Sequence, residues 1–325
     1  MNPLDLINIL KGHRVFIQTH NFPDPDAVSS AFGLQQLLDF YDIPSTLCYD
    51  GRIDRSSLKK MLDTFGVTMY CEGEITDMQP DDLIVLADSQ KLNGNITCMA
   101  GNYIACVDHH PTMFPFAYQY KDIRPVGSCA SIVASYFRQT GAPLSANCAA
   151  ALAYGIKMDT ADLTRGTAAL DMEMLSYLFT YADWNLVTEM YSNTMEFDDL
   201  RAYGAAIQNI QIFQRTGFAY IPFHSAQALV AIISDFILSL DLVDIAVVYA
   251  RQEEGLRFSI RCRPGRIHAG LLVSKALKPY GNGGGHPSMA GGLIPNGSLE
   301  LLGENMHATI HAVFLDAIAG TKEDT

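Results

Sequence analysis

Residues 14–41 read RVFIQTHNFPDPDAVSSAFGLQQLLDFY, and the fold is decided there. RVFIQT, at 14–19, is a short apolar run of the kind that forms a buried strand. From 27 to 41 the apolar residues Ala27, Ala31, Leu34, Leu37 and Leu38 recur at helical spacing. Between the two runs lie His20, Asp24 and Asp26, spaced i, i+4 and i+6 in one tight loop. Pro23 and Pro25 restrict the backbone on either side, so the carboxylates are held rather than swinging. The alternation continues outward, with strands expected at 45–49, 83–87 and 103–107 and helices at 128–139, 146–158 and 170–181. Strands alternating with helices predict an α/β fold whose N-terminal parallel sheet is flanked by helices on both faces. Ligands of such sheets collect beyond the carboxyl ends of the strands.

The pattern changes after about residue 185. The stretch 185–213 reads as mostly helical, and strands are expected at 218–223, 244–251 and 257–261. The turn-like QEEG between the last two marks a hairpin, so a smaller C-terminal α/β domain with a mixed sheet is expected. These readings give a first domain over 1–188, a helical linker over 189–214 and a second domain over 215–325. The tail 321–325 is expected to fray.

Composition narrows the class of partner. The chain has 325 residues, 49% of them hydrophobic and 18% charged, which is globular rather than disordered. Its net charge of -13 disfavours long duplex nucleic acid, which calls for a basic face. Small anionic substrates stay open, because local cations or metal ions can reverse the field in one site. The seven cysteines are scattered with no CxxC pair, which argues against a disulfide framework or a zinc ribbon. No apolar run reaches the roughly 18 to 20 residues of a membrane span. Together with an N-terminus unlike a signal peptide, this reads as a reduced, soluble, cytoplasmic protein with no membrane partner.

Chemistry-bearing residues recur where the strands end. The strand at 83–87 runs into Asp88, the strand at 103–107 into Asp108, His109 and His110, and GIKM at 155–158 leads to Asp159. A lone aspartate at a strand end is usually a turn former or a helix cap. Four such segments together are hard to explain by capping. Asp and His donors in this number suit Mn²⁺, Mg²⁺ or Fe²⁺ better than a thiolate-bound metal. They favour two ions over one, since uncompensated carboxylates would repel one another.

Read in order, HNFPDPDA, LADS, VDHHP and GIKMDT resemble the four sequence motifs of the DHH-family phosphoesterases, over roughly residues 14 to 165. GNGGGHPSMAGG at 281–292 resembles the glycine-rich GGGH signature of that family's associated C-terminal domain, and FSIRCRPGRIHAGLLVSKAL before it resembles the strand, arginine and helix that precede the signature. The resemblance implies two divalent metal ions, Mn²⁺ first, with Mg²⁺ or Fe²⁺ as alternatives. It implies that His20 and Asp24 bind the first ion, that Asp26, His109 and Asp159 bind the second, and that Asp88 bridges both. Asp108 would orient His109, and His110 would face the substrate phosphate. In the C-terminal domain His286 and the amides around Gly283, Gly284 and Gly285 would clasp the nucleotide across a cleft between the domains. Arg261 would be a phosphate or base contact, with Arg263 and Arg266 close enough in sequence to compete. Arg165 and Ser128 follow as secondary candidates, read first as structural.

The implied activity is hydrolysis of a phosphoester by a hydroxide shared between two metals. The expected substrates are short: RNA or DNA oligonucleotides, 3′-phosphoadenosine 5′-phosphate, or a linear or cyclic dinucleotide. A nanoRNase-like enzyme that also acts as a 3′-phosphoadenosine 5′-phosphate phosphatase heads this range, and a homodimer would be in keeping with the family. Two alternatives stand beside it. A manganese inorganic pyrophosphatase shares the N-terminal motifs, but its relatives carry a Ser-Arg-Lys-Lys-type cluster where this chain has GGGHPSMAGG. A non-catalytic nucleotide sensor would be expected to lack a ligand, whereas His20, Asp24, Asp26, Asp88, His109 and Asp159 are all present.

Overall fold

A computed structural model describes residues 1–53, 56–192 and 195–320; the tail expected to fray lies outside them. The chain forms two compact units, Met1–Thr194 and Met195–Thr325. In the first, the elements are α1 (Pro3–Leu10), β1 (Val15–Gln18), α2 (Pro25–Phe40), β2 (Ser45–Tyr49), α3 (Ser56–Phe65), β3 (Tyr70–Cys71), β4 (Leu83–Ala87), β5 (Asn102–Asp108), β6 (Tyr120–Ile123), α4 (Cys129–Thr140), α5 (Ala146–Asp159), α6 (Ala169–Phe179) and α7 (Trp184–Tyr191).

All six strands of the first sheet run parallel, in the order β3-β2-β1-β4-β5-β6. The order reverses between β1 and β4: from β1 the chain builds outward through β2 and β3, and from β4 outward in the other direction. That reversal is the switch point beyond which open α/β sheets bind ligands. Val15, Ile17, Leu47, Val85, Ala105 and Val107 point to one face, where they share a core with residues of the helices. Their alternates Phe16, Cys48, Ile84, Leu86 and Cys106 point to the other. Helices were expected on both faces. The second face instead packs against Ile75, Met78, Ile96, Phe116 and Tyr118 from connecting segments, because the connections after β4 and β5 carry no α-helix.

Close packing of α2 on α5 sets the position of two of the carboxylates. A Cβ on Gly155 of α5 would lie 2.0 Å from Ser29 Oγ of α2, and one on Gly33 of α2 would lie 2.8 Å from Val133 Cγ1 and 3.0 Å from Leu152 Cδ2. These absent side chains let the two helix axes approach, with the start of α2 (Asp26) beside the end of α5 (Asp159).

The second unit contains α8 (Asp199–Asn209), β7 (Gln211–Phe213), β8 (Thr216–Ile221), α9 (Gln227–Leu238), β9 (Ile245–Arg251), β10 (Gly255–Cys262), α10 (Ala269–Leu277), β11 (Asn282–Gly285), β12 (Met289–Pro295) and α11 (Met306–Ala319). Its sheet, ordered β11-β12-β10-β9-β8-β7, is mixed as expected: β8 and β9 are parallel and the other pairs antiparallel. The hairpin foreseen over 244–261 is β9 and β10. Residues of α8 and α9 pack on one face, and those of α10 and α11 on the other. No helix among the described residues is long and apolar enough to cross a membrane.

Candidate metal centre

The loops that follow β1, β4 and β5, with the end of α5, bring six predicted ligands together. Three groupings have all their ligand atoms within 4.8 Å of one another: His20, Asp24 and Asp88; Asp26, His109 and Asp159; and Asp88, His109 and His110. His20 Nε2 lies 3.8 Å from Asp24 Oδ2 and 3.5 Å from Asp88 Oδ2. His109 Nε2 lies 3.3 Å from Asp88 Oδ1, 3.2 Å from Asp159 Oδ2 and 3.9 Å from Asp26 Oδ2. Asp88 thus stands between the first two groupings, one oxygen towards each.

Both imidazoles are held from behind. His20 Nδ1 is 2.9 Å from the Asn21 carbonyl oxygen and His109 Nδ1 is 3.1 Å from that of Val126. A carbonyl only accepts, so each Nδ1 is a donor and each Nε2 is left facing the carboxylates, where it donates when protonated and could ligate a cation when not. This is how metal-binding histidines are oriented.

The carboxylates divide their oxygens. Asp24 is the N-cap of α2: Oδ1 accepts from the Asp26 and Ala27 amides at 3.0 Å each, while Oδ2 faces His20. Capping, set against ligation by the sequence, occupies only one oxygen and leaves the other turned into the cluster. Pro25 occupies the first helical turn, where no amide hydrogen is needed. Buried Asp26 receives the Cys129 and Ala130 amides at 2.7 and 2.9 Å, at the N-terminal end of α4. Asp88 adopts a left-handed backbone conformation, φ 57°, unusual for a residue with a side chain. Its Oδ1 is buried with no hydrogen-bond partner. This oxygen, 3.3 Å from His109 Nε2 and 3.6 Å from His110 Nδ1, with His20 Nε2 on the other oxygen, fits a cation that would satisfy it. Neighbouring Cys106 and Cys129 are buried with their thiols directed at main-chain oxygens, so the donors remain oxygen and nitrogen.

Without a cation the cluster is electrostatically frustrated. Burial, then the charges of Asp88 and Asp159, push the Asp26 carboxyl well above the usual range. Burial, then the charge of Asp24, raises Asp159 to about 6. For His109 burial acts downward, but the Asp88 contact and the surrounding carboxylates outweigh it and lift the imidazole to about 11. His20 moves up in the same way, burial being outweighed by Asp24 and Asp88. Each of these shifts favours the protonated form.

Asp108 behaves differently from its expected role. It is fully buried, and Oδ1 lies 2.8 Å from His110 Nδ1 and accepts the main-chain amides of His109 and His110. It therefore fixes the His110 ring; the His109 ring is oriented by Val126 instead. Gln90, which the sequence reading missed, donates Nε2 to Asp108 Oδ2 at 2.7 Å and to the His110 carbonyl at 2.9 Å. Its signal was a polar residue two positions past Asp88, too weak alone. Asp171 was missed as well: buried, it accepts from the Gly127 and Ala168 amides and from Ser131 Oγ, clamping the turn that starts α4. Ser128 caps α4. Arg165 Nη2 donates to the Asp159 main-chain oxygen at 3.0 Å.

In the C-terminal unit two of the three predicted glycines have packing reasons. A Cβ on Gly283 would strike Val273 of α10 at 2.9 Å, and Gly285 has φ 151° with Ala290 Cα 2.6 Å from where a Cβ would be. Gly284 has open space instead. His286 follows in the turn between β11 and β12, its amide donating to the Met289 oxygen. Arg261 Nε is paired with Asp235 Oδ1 at 2.8 Å, and its side chain is only 12% exposed. To contact an anion it would have to share that carboxylate.

Comparison with known proteins shows what the chain is similar to. Residues 14–156 match the DHH family, N-terminal domain, and residues 218–314 match the DHHA1 domain. An uncharacterized protein of Methanocaldococcus jannaschii is 28% identical over 319 residues, 95% of this chain; the chain spans 65% of that relative, just under two thirds of its length. The probable bifunctional oligoribonuclease and PAP phosphatase NrnA of Streptococcus mutans is 25% identical, over 85% of this chain and 88% of its own. The crystal structure of an exopolyphosphatase-related protein from Bacteroides fragilis superposes with a TM-score of 0.77 at 18% identity, covering 96% of this chain and 94% of that one, a likeness of fold.

Proposed function

We propose that this chain, which belongs to the DHH family of phosphoesterases and carries the DHHA1 domain, is a two-metal phosphodiesterase or phosphatase acting on short oligonucleotides and small nucleotides. The observation that carries the reading is the pair of donor sets, His20, Asp24 and Asp88 beside Asp26, His109 and Asp159, with the orphaned Asp88 oxygen between them. Divalent ions held there would supply Lewis acidity and a water acidified towards neutral pH. The residues of the chain orient and neutralise. Carbonyl-locked His20 and His109 would offer Nε2 to an ion once deprotonated, and the α4 amides hold Asp26 against its neighbours' repulsion. His110, kept in place by Asp108 and Gln90, would bring positive charge to the phosphoryl oxygens. The oligoribonucleotide and PAP activities named for the Streptococcus mutans relative support this substrate range. Mn²⁺ is the proposed first ion, on the donor chemistry alone.

The test is product release with Mn²⁺ from an RNA dinucleotide, a long RNA, 3′-phosphoadenosine 5′-phosphate, cyclic di-AMP and pyrophosphate, with Asp88→Ala and His286→Ala in parallel. Fast dinucleotide cleavage, slow on the long RNA and lost in both variants, is the expected result. Activity confined to pyrophosphate would overturn the substrate class, and metal binding without turnover of anything would overturn catalysis.

A further inference from the structure

At one end of the second sheet, three arginines meet a single carboxylate. Arg215, in the turn before β8, forks onto Asp244 with Nε 2.7 Å from Oδ2 and Nη2 3.0 Å from Oδ1. Arg263 and Arg266 gather around the same carboxylate, but at 3.7 and 3.6 Å, beyond hydrogen-bonding distance. One carboxylate, already engaged by Arg215, cannot neutralise three guanidinium groups. The two outer side chains are 42% and 62% exposed, so they face solvent with most of their hydrogen-bonding capacity unspent. In a chain of net charge -13 such an accumulation is conspicuous.

Its place in the sheet gives it meaning. Cys262, at the end of β10, pairs with Ile245 at the start of β9, and its amide donates to the Ser288 oxygen in the turn that carries His286. The Arg263 amide donates to the Asp244 oxygen, and Thr216 at the start of β8 pairs with Ile245. The His286 turn, Arg261, Arg263, Asp244 and Arg215 therefore follow one another across neighbouring strand ends. Three steps of about 4.8 Å separate β12 from β8, about 14 Å in all, which is room for more than one phosphate group. Arginine suits such a track, since its planar fork matches phosphate oxygens.

We propose that Arg263 and Arg266, braced by Arg215 on Asp244, form a phosphate-binding subsite for the backbone of a single-stranded oligonucleotide, beyond the nucleotide held at the glycine-rich run. This rests on the short-oligonucleotide reading above and extends it, because the subsite sets which lengths are preferred. A dinucleotide would leave it unfilled; a chain of several nucleotides would reach it.

The experiment measures binding of hydrolysis-resistant 2′-O-methyl phosphorothioate RNAs, two and five nucleotides long, to the full Mn²⁺-loaded chain by fluorescence anisotropy across a salt series. The wild type is expected to prefer the pentanucleotide. Arg263→Ala/Arg266→Ala should reduce that preference about tenfold and flatten the pentanucleotide salt slope by about 0.7 per lost phosphate contact. Arg266→Ala alone, at the more exposed position, should give part of the effect without touching the Arg215–Asp244 fork. Arg263→Lys/Arg266→Lys should keep most of the slope. A wild type with no length preference, or a double variant with preference and slope unchanged, overturns the subsite. Loss of hydrolysis in the earlier assay with the preference intact overturns the catalytic reading and leaves the subsite standing.

Discussion

Asp26 accepts a main-chain amide on each carboxylate oxygen, so this candidate ligand has no oxygen to spare for an isosteric change. Asp26→Asn would turn an NH₂ towards the Cys129 or Ala130 amide, donor against donor, and leave one buried amide unpaired. The cost should be about 1–3 kcal/mol, offset in part by relief of the repulsion from Asp88 and Asp159, and is read as a lower melting temperature in EDTA. An unchanged melting temperature would show that the helix start does not depend on these bonds. At this scale the sequence told a good deal. His20, Asp24, Asp88, His109 and Asp159 were all legible, because their positions follow strand or helix ends that apolar periodicity marks out. Gln90 and Asp171 were not, since the contacts by which Gln90 reaches Asp108 and Asp171 reaches Ser131 span 18 and 40 residues of sequence, which no spacing rule encodes. The task assigned to Asp108 was misread for the same reason: which imidazole a carboxylate reaches depends on ring orientation, and Val126, 17 positions on, had already engaged His109.

Among the elements, the contact between α2 and α5 governs how far apart Asp26 and Asp159 lie. Gly155→Ala would place a Cβ 2.0 Å from Ser29 Oγ and push the helices apart. Overpacking of this kind costs about 1–3 kcal/mol. It should also weaken Mn²⁺ binding, which calorimetry would register; Ser29→Gly in the same chain should recover both. If the double variant is no better than Gly155→Ala, the collision is not what sets the ligand spacing. Strands β1, β2, β4 and β5 were readable from short apolar runs, as were α2, α4, α5 and α6 from helical periodicity. Strands β3 and β6 were not. Tyr70–Cys71 is two residues long, and Tyr120–Ile123 reads YKDI, charged in the middle, so it is a strand only because β5 offers it an edge. The mostly helical stretch read over 185–213 resolves into α7, α8 and the short strand β7, the last too brief to carry a period.

For the molecule as a whole, the titration of the centre gives a direction for stability against pH. Asp159, raised from 3.8 to about 6, holds its proton longer in the folded state, so that contribution is present in acid and gone above about 6. His109, raised from 6.5 to about 11, contributes fully below 6.5 and loses that contribution as pH rises through about 11. Both signs agree, and between pH 6 and 8.5 the folded state binds more protons than the unfolded one. The melting temperature in EDTA should therefore fall over that range. Saturating Mn²⁺ should flatten or reverse the slope, because the ion displaces the same protons. A melting temperature that climbs with pH in EDTA would contradict the frustrated centre. The division of ligands across the β1–β4 seam has a further consequence. His20, Asp24 and Asp26 follow the strand that opens one wing of the sheet, and Asp88 and His109 follow strands of the other. Neither wing alone owns a complete set of donors. An ion held there would thus be captured only by chains in which the two wings have already been joined.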